Sequence, residues 1–226
     1  MVERSLRNGV VVGMQRSGVV RVHGRSGVLW MMVGFVACLL VSCAGGEERD
    51  AKESVTSALP VIKTAPDFSG TDQDGNAVGS SRFAGSIWVA SFMFTSCQGV
   101  CPVMNTTLRD VQEAIKDPAV RFVSFTVDPE SDSLRTLSEY AQRYSADPRR
   151  WFFVRMSLDS VRRLSKDGFL LSDPSEPSAH SSRYVLVDAR NNIRGYYDCM
   201  DTVKVAELKR DIAVLRSERV KSMEQR

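Results

Sequence analysis

Two cysteines four residues apart, Cys97 and Cys101 in the stretch FTSCQGVCPVMN, stand immediately before Pro102. Thiols so spaced can close a disulfide, cycle between dithiol and disulfide, or grip a metal as thiolates. A disulfide around so short a loop gains little as a cross-link, because its stabilisation grows with the loop it closes. Reactive chemistry is therefore favoured over a staple. The residue before a proline avoids the helical region, and proline favours the first helical position. The spacing thus predicts a helix from Pro102, with Cys101 as its cap and Cys97 on a curled loop that Gly99 permits. The positive end of that helix, with its unpaired N–H groups, is expected to favour thiolate over thiol.

Redox pair and metal site are separated by a third ligand. Two thiolates with an imidazole make a soft, mixed donor set suited to copper and acceptable to zinc. The chain has two histidines, and His180 is the one that follows the cysteines, in SEPSAHSSRYVLVD, at the end of an irregular loop and just before a strand. Taken alone, one histidine in a polar loop is more often solvated than a ligand, so both chemistries stay open at this point.

The compartment bears on either one. Basic Arg21 to Gly27 is followed by an apolar run of 14 residues, VLWMMVGFVACLLV, too short for a spanning helix of about 20 residues. A basic region, a short apolar run and small residues together predict an export signal over residues 1–42. LVSC, Leu40 to Cys43, is similar to the lipobox of bacterial lipoproteins. It predicts lipidation of Cys43, with residues 43–60 as a polar tether. The expected location is the bacterial cell envelope, outside the cytoplasm and anchored to a membrane. There disulfides can persist. Residues 1–42 hold five Arg and one Glu, which leaves 25 basic against 26 acidic groups and a formal net charge of −1. Nucleic acid is not indicated as a partner. Cys199 is an odd thiol in a turn, read as a passive small residue, with a mixed disulfide as the other use.

Elements that alternate strand and helix must place these groups. APDFSGTDQDGNAV predicts two short strands around a DQDGN turn. SIWVASFMF, VRFVSFTV and WFFVRM are short apolar runs of the kind found in strands covered on both faces. Helices are predicted from Pro102 to Ile115, over Leu134 to Tyr144 with Asp132 or Ser131 as cap, and over SLDSVRRLSKDG, stopping at Gly168. RYVLVD and IRGYYD predict a hairpin, with Asp188 in its turn. Val205, Leu208, Ile212 and Leu215 mark a closing helix, leaving 221–226 as a polar tail. The expectation is an α/β domain over 61–220: a central mixed sheet flanked by helices, with added β-hairpins. A cysteine pair after the first interior strand makes it thioredoxin-like. Asp128, after a strand at the same sheet edge, is read mainly as a turn residue, with an outer-ligand role as the alternative.

FMFTSCQGVCPVMN, FTVDPESDSLRTLSEYAQRY, WFFV and HSSRYVLVDARNNIRGYYD, in that order, resemble the Sco/SenC family of membrane-tethered copper proteins. The resemblance implies a thioredoxin-like fold and copper, as Cu(I) or Cu(II), on Cys97, Cys101 and His180. It also implies a client, cytochrome c oxidase subunit II, whose dinuclear copper site the protein loads or matures. The alternative it carries is an extracytoplasmic thiol–disulfide oxidoreductase in which Cys97 attacks and Cys101 resolves; a peroxide-reactive thiol is a weaker third. The family more often has glycine where Cys199 stands. A general thioredoxin is disfavoured, because AHSS before RYVLVD lacks the proline such reductases are expected to carry there.

Overall fold

The computed structural model describes residues 59–171 and 180–225. The leader, Cys43, most of the expected tether and the Pro/Ser-rich stretch before His180 lie outside the described residues. Among the described residues no helix is long and apolar enough to cross a membrane.

Strand β4 (Ile87–Met93), the SIWVASFMF run, is buried at all seven positions. A strand with no wet face must sit mid-sheet. It pairs in parallel with β5 (Val120–Thr126), and β5 in parallel with β6 (Trp151–Val154). On its other side it meets β7 (Arg183–Val187) antiparallel, followed by β8 (Asn192–Asp198) and the short β1 (Lys63–Thr64). The sheet order is β1-β8-β7-β4-β5-β6. β2 (Ser69–Thr71) and β3 (Ala77–Gly79) form a separate hairpin. Its turn is the predicted one, with the Asp72 carboxylate accepting from Asp74 N and Asn76 N, and Gly75 at φ 84°.

Alternation along the strands divides the core in two. Ile87, Val89 and Met93 of β4 face Phe122, Trp151, Phe153, Tyr184 and Leu186. Against them pack α1 (Val100–Ala114), α2 (Leu134–Arg143) and α4 (Thr202–Glu224), through Met104, Leu108, Leu137, Tyr140, Leu208 and Ile212. Trp88, Ala90 and Phe92 face the other way, onto Phe83, Phe125, Phe152 and Phe169 and the short α3 (Leu158–Arg163). Two serines inside this apolar sheet are satisfied: Ser91 and Ser124 share a hydrogen bond of 2.9 Å, and Trp151 Nε1 donates to Ser124. The α/β class and the mixed sheet covered by helices are as the sequence predicts.

Three details differ. α3 ends in a π-turn, Leu164–Gly168, and left-handed backbone falls at Leu170 (φ 55°), not at Gly168. Gly168 is needed instead for close approach, since a Cβ there would stand 2.8 Å from Pro66 Cγ. The cap of α2 is Ser133, whose side chain accepts from Thr136 N, in place of Asp132 or Ser131. α4 runs on to Glu224, through four residues expected in the polar tail. Its last turns, SERVKSME, are largely good helix formers that need no buried face to stay helical next to a packed segment.

Candidate metal centre

The thiol loop leaves the sheet at the C-terminal end of β4, where Val127 N donates to Met93 O and holds the strand end in place. Cys97 N then donates to Phe94 O in a tight turn. α1 starts at Val100, two residues before the expected start, with Gly99 as its cap (φ −97°, ψ −108°). Pro102 is tolerated inside the first turn because the first N–H groups of a helix have no intrahelical partner to lose. This corrects the position of Cys101. It is not the cap but a first-turn residue, fully buried, while Cys97 stays half-buried. Asn105 Nδ2 donates to the Cys101 carbonyl at 2.8 Å and to Tyr140 Oη at 3.1 Å, which fixes that turn to α2.

His180, just before β7, reaches this same sheet edge. Its Nε2 lies 3.2 Å from Cys101 Sγ, and its Nδ1–H donates to the Ser181 carbonyl at 3.2 Å. The Ser181 bond selects the tautomer whose Nε2 lone pair faces the sulfur. Phe94 meets the ring edge-on, with centroids 5.6 Å apart. One ligand atom each from Cys97, Cys101 and His180 lies within 4.8 Å of the others, and all three cysteines of the described residues are free. A thioether-free set of two sulfurs and one imidazole nitrogen fits a soft monovalent or borderline cation, with an open side at Cys97.

The electrostatics correct one expectation. Burial pushes the Cys101 thiol well above its ordinary value, and the neighbouring Cys97 adds to the rise. The cost of desolvating an anion outweighs the helix-start field here. A cation entering the site must therefore displace the Cys101 proton, which ties affinity to pH. His180 is held below its ordinary value, also by burial, so it is neutral and ligand-ready near pH 7. For the metal-free protein the sign follows. The stability that the neutral ring contributes is present above its unfolded value of about 6.5 and lost as pH falls through the lower folded value. Urea midpoints taken from pH 7.5 to 5 should fall further for the wild type than for His180→Gln, which has no proton to gain; parallel curves would contradict this.

The remaining residues sort differently. Asp128 sits in the turn after β5, its carboxylate accepting from Ser131 N at 3.4 Å and its own N–H donating to Thr126 Oγ1. It thus has the turn role, and it is absent from the Cys–Cys–His group. The carboxylate that does meet the thiol loop is Asp132, which accepts from Thr95 and which sequence reasoning treated only as a cap. A signal existed: Thr126 ends an interior strand and Thr95 follows another by two residues, so both hydroxyls fall at one sheet edge, and a buried one such as that of Thr126 needs a partner. Asp188 accepts from Arg190 N and Asn192 N in the hairpin turn, and also pairs with buried Arg194. Cys199 is buried in the same core as Met104, its thiol pushed up to about 12 by burial, in keeping with a passive small residue.

The family model of SCO1/SenC matches residues 57–215. The crystal structure of a SCO1/SenC family lipoprotein from Bacillus anthracis is 32% identical, with a TM-score of 0.63 over 68% of this chain and 95% of that one. BsSco, described as a member of the Sco family of cytochrome c oxidase assembly proteins with a disulfide switch, is 25% identical. It has a TM-score of 0.62 over 70% of this chain and 97% of its own. Bradyrhizobium japonicum ScoI with copper bound shares the fold at 23% identity and a TM-score of 0.53, over 65% and 98% of the two chains.

Proposed function

Since this chain belongs to the SCO1/SenC family, we propose that it binds copper between Cys97, Cys101 and His180 and hands it to a copper-site client of the cell envelope. The observation that carries this reading is the meeting of two free thiols and a neutral imidazole nitrogen within 4.8 Å at one sheet edge. Copper is cargo in this reading, so the site must release it. Buried Cys101 and His180 form the fixed floor, and half-buried Cys97 is the ligand a client thiol can replace. Each exchange keeps copper coordinated while one protein sulfur leaves and a client sulfur enters. BsSco's description as an assembly protein and the bound copper of the Bradyrhizobium protein support the class of cargo and client. The finer reading names subunit II of cytochrome c oxidase as the client.

The same reading places Cys43 as a lipid anchor and residues 43–60 as the tether, ahead of the domain over 61–220. The lipoprotein description of the Bacillus anthracis relative supports it. Mass spectrometry of the mature N-terminal peptide is expected to find an acylated Cys43; an unmodified, uncleaved leader would remove the anchor.

A second reading rests on the free state and unequal exposure of the two thiols. Cys97 attacks a client disulfide, one client sulfur leaves as thiol, and Cys101 then attacks the mixed disulfide. The client gains two electrons and two protons, and the Cys97–Cys101 pair is oxidised. One experiment separates the two. Copper(I)-loaded protein is mixed anaerobically with the copper-free, reduced soluble domain of a subunit II, and the dinuclear site is followed by its absorbance after oxidation. Loading of the client supports cargo transfer. Reduction of an oxidised client by the copper-free protein, with no loading in the first arm, supports the reductase. Preference for zinc over copper(I) in competition would overturn the choice of metal.

A further inference from the structure

Asp132 meets the thiol loop from beneath, and neither binding nor transfer as described makes use of it. It lies between β5 and α2 and is only 1% exposed. One carboxylate oxygen accepts from Thr95 Oγ1 at 2.5 Å, and the other from Thr126 Oγ1 at 2.5 Å. Thr95 N donates as well, at 3.2 Å. Its partners among the described residues are thus two hydroxyls and an amide, none of them a cation. Burying a carboxylate costs free energy unless several donors surround it, and charge-assisted bonds of this kind are short and directional. The helix next door does not require it, because Ser133 caps α2.

The position of the clamp gives it a use. Thr126 ends β5, so it belongs to the rigid sheet, whereas Thr95 stands two residues before Cys97 in the loop. The far end of that loop is Gly99, a cap without a side-chain hydrogen bond. Cys101 and His180 are held by a helix and a strand start, but Cys97 depends on the loop. We propose that Asp132 is a positioning residue for the metal site, fixing the root of the loop through Thr95 and so holding Cys97 over Cys101 and His180. This rests on the copper-binding reading above for its effect on copper, and on the thiol pair alone for its effect on redox.

The test compares Thr95→Val, Thr95→Ser, Asp132→Asn and Ser133→Ala in the purified full protein. Copper(I) affinity is measured by chelator competition, and the Cys97–Cys101 midpoint potential in glutathione buffers. Thr95→Val and Asp132→Asn should each weaken copper(I) by about 10–100-fold, the range for losing a partner that orients a ligand. The double variant should weaken it no more than the stronger single one, since both act through the same Thr95–Asp132 contact. Thr95→Ser restores the hydroxyl and should stay within about threefold of the wild type. Loosening also lowers the chance that Cys97 meets Cys101, and a tenfold fall in pairing makes the potential about 30 mV more oxidising. Ser133→Ala, a neighbouring helix cap, should lower the thermal midpoint without moving affinity or potential. Wild-type affinity and potential in folded Thr95→Val and Asp132→Asn, or equal losses in Ser133→Ala, overturn the proposal. If the wild type binds no copper, the binding reading falls, while the potentials still decide the clamp: shifted as stated they support it, unchanged they overturn it.

Discussion

Replacing Cys101 by serine is expected to abolish tight one-to-one copper(I) binding, with an affinity loss beyond the ~100-fold that marks the loss of an outer partner. Three features make this the most damaging single change at the site. Serine offers a neutral, hard oxygen where copper(I) prefers sulfur. Cys101 is fully buried in the first turn of α1, so no external thiol can take its place. His180 Nε2 faces Cys101 Sγ at 3.2 Å, so the imidazole loses the sulfur beside which it binds. Cys97→Ser should behave differently. That position is half-buried, and millimolar added thiol should recover part of the lost affinity there but none in Cys101→Ser. Cys199→Ala, on the same core face yet outside the three-residue group, should bind like the wild type. The fold should survive in Cys101→Ser, because the smaller hydroxyl can still bond to Nε2. Near-normal binding by folded Cys101→Ser in anaerobic competition with a chelator would remove the three-ligand site.

The sheet was legible because its strands are buried on both faces, and such segments show as unbroken apolar runs whatever their neighbours are. SIWVASFMF and VRFVSFTV are of this kind. Local rules failed where a tertiary term outweighed them. The proline rule put the helix start at Pro102, yet a helix needs no donor in its first turn, and burying Cys101 favours starting at Val100. The helix-start argument favoured a thiolate at Cys101; the apolar core closing over it reverses the sign. That core is built from residues such as Tyr140, Tyr184 and Cys199, distant in sequence, and no window around the motif contains them. His180 follows Cys101 by 79 positions, and its type and place before RYVLVD named it only once a family pattern was laid over the chain. Asp132 was visible as a residue but not as a partner of Thr95, since two parallel strands have to be aligned before the two meet.

Arg194→Met should cost about 3–5 kcal/mol of stability, the range for breaking a buried ion pair by removing one member. The Arg194 side chain is only 6% exposed. Its guanidinium donates to Asp188 Oδ2 at 2.8 Å and Glu218 Oε2 at 3.1 Å, and to the Leu59 and Pro60 carbonyls. One side chain on β8 thus ties together the hairpin turn, α4 and the strand-entry segment. Methionine keeps the apolar stem but leaves those carbonyls and a buried carboxylate without their donor. The loss should fall near the lower end, because Asp188 retains Arg190 N and both nitrogens of Asn192. Glu218→Gln, at a side chain 37% exposed, should cost at most about 1 kcal/mol. Copper affinity should stay unchanged in Arg194→Met. Its partner Asp188 follows the end of β7 at Val187, whereas His180 precedes the start of that strand at Arg183, which pairs with Asp198. The Arg194–Asp188 pair and the His180 ligand therefore lie at opposite ends of one hairpin. Urea unfolding and chelator competition on the same preparation check both halves. A loss of stability below about 1 kcal/mol would mean that the buried charge contributes no more than an exposed one, and a parallel loss of copper affinity would mean that the two ends of the sheet are mechanically coupled.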